Sequence, residues 1–290
     1  MKHLNNVDWH ATDRCNLKCI SCGHFCSLVD NTTNISDRTP KQAENDFKIL
    51  YDKTNKGEFV DNITITGGEP TLNKNLTEIL SIANKYFTNK ITLWTNAINL
   101  NLFTDELINF IEQNNIHICV TIYEVNKSFN RFLNLFYPST KITFYIKNYL
   151  GKNTNEFFTK FFTCNKIDNI DDNTCYDKFV CCQLKDSKLY PCQYLGYISY
   201  LFDYFGDKYK TLLEYDKSNI YLDLNNISSY DDLYKYLEQY NEPICQHCLE
   251  KWTKLDFNNR AIYRVIPWET SKQNINEWIC DNIDDLINEN

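Results

Sequence analysis

Residues 7–22 read VDWHATDRCNLKCISC, and the fold turns on them. Val7–Thr12 is a short β-prone run that leads straight into Cys15. Working outward, Thr39-Pro40 is a helix N-cap followed by proline at the first helical position, and Ala43, Phe47, Leu50 and Tyr51 then recur at helical spacing. Ile63–Thr66 reads as a second strand that ends at Gly67. Leu76, Ile79, Leu80, Ala83 and Phe87 form one helical stripe. Lys90–Asn96 is the next strand, and Thr104 caps a helix carrying Leu107, Phe110 and Ile111. His117–Tyr123 reads as a strand, Ser128–Phe136 as a helix and Lys141–Lys147 as a fifth strand. Connections of this length join parallel strands through right-handed crossovers. The expected class is α/β, either a doubly wound sheet or a partial (β/α) barrel. In both, reactive groups belong at the C-terminal ends of the strands.

After about residue 150 the rhythm changes. The expected organisation is a core over 1–150 and a smaller cysteine-rich α+β part over 151–290. In the second part Cys182–Cys192 reads as a hairpin turning at Asp186-Ser187, and Ser229–Tyr240 as a helix. The last 20 residues are acidic and read as helical.

Composition narrows the function. The chain has 290 residues and a formal charge of −8, from 30 Lys+Arg against 38 Asp+Glu. That balance excludes nucleic-acid binding through a net positive field. No apolar run approaches the roughly 20 residues of a membrane helix, and residues 1–10 lack the apolar stretch of a signal peptide. The expected compartment is the cytoplasm, with no membrane partner. There are 13 cysteines, which in a reducing compartment read as metal ligands or catalytic groups rather than disulfides.

Cys15, Cys19 and Cys22 form C-x3-C-x2-C just past the first strand. Thiolates are soft ligands for iron–sulfur clusters and zinc. Three of them can hold three corners of a [4Fe–4S] cube and leave one iron open. A zinc site completed by His24 or Cys26 is the alternative. Gly67-Gly68-Glu69-Pro70 closes the second strand: adjacent glycines let the backbone approach a ligand closely, and Glu69 can accept from an ammonium group.

Together the two motifs resemble the radical S-adenosylmethionine (SAM) superfamily over roughly residues 7–150. The resemblance implies a partial (β/α) barrel in which Cys15, Cys19 and Cys22 bind a [4Fe–4S] cluster. It implies that SAM chelates the open iron, that the Gly67–Pro70 turn holds its amino group, and that reductive cleavage yields a 5′-deoxyadenosyl radical. The residue before the third cysteine is usually aromatic in that family and is Ser21 here, so His24 or Phe25 is expected to contact adenine instead. Thr95 and Asn96, at the end of the third strand, lie at the level of SAM. A flavodoxin or ferredoxin is the implied electron donor.

The late cysteines resemble the auxiliary-cluster domain called twitch, a trimmed relative of SPASM. Cys175, Cys192, Cys245 and Cys248 are the implied ligands of a second [4Fe–4S] cluster. Cys181 and Cys182 lie closer to the hairpin and are alternatives to Cys175. An unligated Cys181 or Cys182 is a candidate hydrogen-atom donor to a substrate radical, and a structural zinc site is the alternative for the group. Cys119, inside a strand, reads as core.

The expected activity is hydrogen abstraction from a small carbohydrate-like substrate (a sugar, nucleotide-sugar or aminocyclitol), giving oxidation or epimerisation. The first strand starts near Val7, which leaves no room ahead of it for a peptide-recognition domain and disfavours the alternative of a peptide maturase that forms a crosslink or D-residue. A non-enzymatic metal-stabilised binding module is the third reading. It leaves the Gly67–Pro70 turn unexplained.

Overall fold

The computed structural model describes residues 2–19, 22–29, 37–122, 144–148, 162–163, 177–248 and 279–280. Strands β1 (Val7–Thr12), β2 (Ile63–Gly67), β3 (Ile91–Thr95), β4 (His117–Ile122) and β5 (Phe144–Asn148) alternate with helices α1 (Pro40–Lys53), α2 (Leu76–Tyr86) and α3 (Asp105–Gln113). The helix expected over 128–136 lies outside the described residues. All five strands pair in parallel with their chain neighbours. α1 starts where the sequence says it should: Gln42 N donates to Thr39 Oγ1 at 3.3 Å, and Thr39 N donates back to Gln42 Oε1 at 2.9 Å. Thr104 Oγ1 likewise accepts from Leu107 N at the start of α3.

β6 (Phe162–Thr163) pairs in parallel with β10 (Ile279–Cys280). This corrects the expectation of a helix at Ile279 and Cys280; the rest of the last 20 residues lies outside the described residues. Ile279 and Cys280 pair with a segment more than a hundred residues earlier, and no local pattern carries that information. The hairpin reading holds. β7 (Cys182–Lys185) and β8 (Lys188–Tyr190) are antiparallel, and β9 (Leu222–Asp223) follows on β8. β7 also pairs in parallel with the free side of β1, so the sheet runs β5-β4-β3-β2-β1-β7-β8-β9. The hairpin thus continues the sheet that the first half of the chain begins. Three short helices, Gln193–Tyr197, Ser199–Phe205 and Lys208–Leu212, were not legible in sequence; each is shorter than the window over which a helical stripe can be recognised.

The two faces of the sheet differ in kind. Val7, Trp9 and Ala11 of β1, Ile63 and Ile65 of β2, and Ile118 and Val120 of β4 join one apolar core with Phe47 of α1, Leu80 of α2 and Ile111 of α3. All three helices therefore cover the same face. A doubly wound sheet would divide them between two faces, so the arrangement is that of a (β/α) barrel opened along one side. On the opposite face the strands carry Asp8, His10, Thr64, Thr66, Thr92, Thr121 and Gln183, all buried. Parallel strands covered by protein on both faces read as continuous apolar runs. Strict alternation here means that the second face lines a polar interior.

The β7–β8 turn has Asp186 at φ 52° and Ser187 at φ 60°, a left-handed pair where glycine is usual. Each such residue costs about 1–2 kcal/mol. The cost is offset because buried Asp46 of α1 accepts from Ser187 N (2.6 Å) and Asp186 N (3.2 Å), as well as from Trp9 Nε1 (2.9 Å). One carboxylate ties helix, first strand and hairpin together. Among the described residues no helix is long and apolar enough to cross a membrane.

Candidate functional site

The loop after β1 crosses the C-terminal edge of the sheet, and the turn after β2 is what holds it there. Gly68 N donates to Thr12 O (2.9 Å) and Glu69 N to Arg14 O (2.8 Å). A Cβ on Gly67 would lie 2.1 Å from Thr12 O, and one on Gly68 2.1 Å from Arg14 O; Gly67 also sits at φ +136°. The glycine pair is required by close approach, but the approaching partner is the chain's own cysteine loop. Sequence reasoning placed a ligand there.

Glu69 is buried, and its carboxylate is filled by four internal donors. Oε1 accepts from Thr71 Oγ1 (2.6 Å), Thr95 Oγ1 (2.7 Å) and Thr71 N (3.2 Å), and Oε2 accepts from Asn96 N (2.8 Å). Burial raises its pKa against these hydrogen bonds. Glu69 therefore fastens the end of β3 to the turn after β2. Thr95 and Asn96 are also buried. Asn96 Nδ2 reaches across to Asn16 Oδ1 (2.7 Å), inside the cysteine motif. His24 Nδ1 donates to Gly67 O (3.2 Å), closing the far end of the loop on the same turn. Pro70 starts the 3-10 turn that presents Thr71 to Glu69.

Cys15, Cys19 and Cys22 lie on this loop as thiols. Their charges reach one another, since Cys22 and Cys19 both act on Cys15. Leu17 N donates to Cys15 Sγ (3.4 Å), a bond suited to an electron-rich sulfur. Burial raises the Cys15 thiol, whereas a hydrogen bond with the Cys26 thiol brings Cys22 down to about 6. Three soft donors on one short loop suit a thiolate-bound metal cluster. His24 is turned to Gly67, and Cys26 Sγ donates to His24 O (3.5 Å). Phe25, at φ 57°, is wholly buried among Leu28, Tyr190, Tyr194 and Tyr197.

The late cysteines gather at the other end of the sheet. Cys182 stands beside Val7 in register, five residues before Thr12, so roughly 16 Å of strand separates it from the end that leads to Cys15. It is buried on the apolar face, and its Sγ donates to Lys178 O (2.8 Å). Cys181 is half-buried beside it. Cys192 follows β8, Cys245 lies within the 3-10 turn Pro243–His247, and Cys248 caps its end. The Tyr240 hydroxyl, its pKa raised mainly by burial, also feels Cys245 and Cys192, and that of Tyr236 feels Cys245, Cys182 and Cys192. Cys175 lies outside the described residues. Cys119 is buried, and it points to the polar face rather than into the apolar core.

A second buried cluster escaped sequence reasoning. His10 is stacked on Tyr197 (centroids 3.6 Å apart, planes at 6°), and its Nδ1 donates to Asp13 Oδ1 (3.0 Å). Tyr200 Oη donates to the other oxygen of Asp13 (2.6 Å). Burial pushes His10 down to about 3, so the ring is neutral and its Nε2, which has no partner, is an acceptor. Lys185 Nζ lies 4.6 Å from the Tyr197 ring centroid, and Arg38 Nη1 lies 3.5 Å from Asp186 Oδ1. The signal was present in VDWHAT: polar residues at every second position of a strand whose neighbours are both parallel.

Comparison with known proteins bears on residues 9–147, which match the model of the Radical SAM superfamily. The chain is 32% identical over 101 residues to a GTP 3′,8-cyclase of Clostridium acetobutylicum, covering 33% of this chain and 30% of that protein. It is 32% identical over 94 residues to a probable GTP 3′,8-cyclase of Thermoplasma volcanium, covering 32% of this chain and 26% of that protein. The chain thus spans less than a third of the length of either relative. Among solved structures it is similar to Streptococcus suis SuiB bound to the precursor peptide SuiA, at 17% identity and a TM-score of 0.35, over 46% of this chain and 29% of that one.

Proposed function

The chain belongs to the radical SAM superfamily through residues 9–147, and on that premise we propose that it is a radical SAM enzyme acting on a small polar, carbohydrate-like substrate. When bound, the [4Fe–4S] cluster and SAM supply hydrogen-atom abstraction through reductive cleavage of SAM to a 5′-deoxyadenosyl radical. Cys15, Cys19 and Cys22 would hold that cluster. The Gly67–Pro70 turn, with Thr95 and Asn96 fastened to it by Glu69, would shape the SAM side of the site. Phe25 supports the loop from below by packing.

The observation that carries the substrate reading is the polar face of the sheet. Asp8, His10, Thr64, Thr66, Thr92 and Gln183 face the interior; Asp8, Thr64 and Thr92 are paired within the protein, whereas His10 Nε2 and Gln183 Oε1 have no partner and suit a ligand rich in hydroxyl groups. Cys192, Cys245 and Cys248 would hold a second [4Fe–4S] cluster, with Cys175 or one of the Cys181-Cys182 pair as fourth ligand. The convergence of Cys245 and Cys192 on Tyr240 supports this. Between the two outcomes, geometry favours oxidation over epimerisation. A hydrogen-atom donor must reach the substrate radical, yet Cys182 is held on the apolar face at the far end of β1, which leaves half-buried Cys181 as the donor candidate for epimerisation.

The test is anaerobic reconstitution of wild type and of the Cys15→Ala/Cys19→Ala/Cys22→Ala variant. Incubation follows with dithionite, SAM and panels of sugars, nucleotide-sugars and aminocyclitols. Wild type is expected to release 5′-deoxyadenosine in a substrate-dependent manner, and the variant none. No rise with any member of the panels, or a rise only with peptides, overturns the substrate class. About four irons retained by the triple variant support the second cluster, and iron near zero removes it.

A further inference from the structure

Two cations stand at the C-terminal end of β1 and β7 with little to hold. Arg38 is anchored there by its backbone, since its N donates to Ala11 O (2.9 Å) and its O accepts from Asn73 Nδ2 (2.9 Å). Its side chain is only 11% exposed, and among the described residues its guanidinium makes one ion pair, at 3.5 Å, to a half-exposed Asp186. Five N–H donors thus share a single weak contact. Lys185 ends β7 on the polar face, next to Asp186. Among the described residues it forms no ion pair, and its contacts are the rings of Tyr197 (4.6 Å) and Tyr200 (5.5 Å). The buried carboxylate between them, Asp13, is already taken on both oxygens, by His10 and Tyr200. Burial lowers the Lys185 pKa, attraction to Asp13 opposes this and repulsion from Arg38 adds to it; both cations stand next to Asp186, which Lys185 precedes in the chain and with which Arg38 pairs.

The same cluster contains buried polar atoms with no partner: His10 Nε2, Gln183 Oε1 and Tyr197 Oη. Three such atoms lie here beside two cations, and a bound ligand would satisfy them. Guanidinium and ammonium groups with open donors are matched by an oxyanion, and by phosphate best of all. The open acceptors on His10 and Gln183 are matched by hydroxyl donors. The position is also right, at the edge of the sheet crossed by the cysteine loop.

We propose that Arg38 and Lys185 anchor a phosphate group of the substrate. This narrows the substrate to a phosphorylated or nucleotide-linked polyhydroxy compound. The inference rests on the reading of the polar face as a substrate surface. An oxyanion at this place has a second source, the carboxylate of SAM itself, and the test separates the two.

Reconstituted wild-type holoenzyme is titrated anaerobically with inorganic pyrophosphate, and separately with SAM, by calorimetry. Arg38→Gln, Lys185→Gln and the charge-keeping Lys185→Arg are measured in the same way. Each protein is accepted only if its iron content and far-ultraviolet circular dichroism match wild type. Pyrophosphate is expected to bind wild type, more weakly as salt rises. Either glutamine variant is expected to weaken it at least tenfold, with Lys185→Arg within about threefold of wild type. No pyrophosphate binding to wild type, or equal binding to the glutamine variants, overturns the assignment. A tenfold loss of SAM affinity in the glutamine variants also overturns it, because the oxyanion held would then be the SAM carboxylate. Wild-type 5′-deoxyadenosine release is followed separately. Its presence without pyrophosphate binding sinks this inference alone, and its absence sinks the proposed activity.

Discussion

Glu69 offers the sharpest test of how the site is built. Glu69→Ala removes an acceptor from four donors, of which Thr71 Oγ1 and Thr95 Oγ1 can rotate to other partners. Asn96 N and Thr71 N cannot. A buried N–H left unpaired costs about 1–3 kcal/mol, so two give about 2–6 kcal/mol. Removing a carboxylate whose ionisation is opposed by burial returns part of that, and the expected net loss is about 2–4 kcal/mol. Glu69→Gln keeps an oxygen for the three Oε1 donors and turns an amide toward Asn96 N alone, so the expected loss is about 1–2 kcal/mol. The assay is urea unfolding of the metal-free, reduced protein, followed by circular dichroism at constant m-value. There is a pH signature too. A carboxylate whose folded pKa is raised binds more protons when folded, so it makes stability fall as pH rises above its unfolded value of about 4.5. Glu69→Gln should remove that component. An alanine variant within about 0.5 kcal/mol of wild type, or a glutamine variant as unstable as alanine, would refute the idea that this carboxylate fastens β3 to the turn.

Gly68→Ala drives a methyl group to 2.1 Å from Arg14 O, so it should displace the cysteine loop and lower iron bound after reconstitution to below half of wild type. His10, with a folded pKa of about 3, protonates first in the unfolded state, so its contribution to stability is complete above about pH 6.5 and is lost as pH falls toward 3. His10→Asn should flatten the acid limb of the stability curve by up to about 1.4 kcal/mol per pH unit, read on metal-free protein. Asp46→Ala leaves two left-handed turn residues without their acceptor and should cost about 2–4 kcal/mol, while iron bound after reconstitution stays at the wild-type level. Cys182→Ala should leave substrate-dependent 5′-deoxyadenosine release intact; a product stereochemistry that changes with this variant would restore the donor thiol.

Where local pattern and local chemistry coincide, the sequence was legible. Thr39-Pro40, Thr104 and the stripe from Leu76 to Phe87 mark helices because caps and apolar periodicity act within a few residues. Cys15, Cys19 and Cys22 and the Gly67–Pro70 turn fall at strand ends because parallel βα units place loops there. These features determine the fold class and the position of the cysteine loop without any reference to packing. The partner of Gly67 and Gly68, the four donors that fill Glu69 and the pairing of β7 with β1 lie outside that reach. So does the meeting of Arg38, Lys185, His10 and Tyr197, which brings together residues more than 180 positions apart. Each is a contact between segments distant in the chain, created when the sheet aligns strand ends. Tertiary structure alone decided which polar groups were satisfied internally and which were left open to a ligand, because that depends on neighbours supplied by folding.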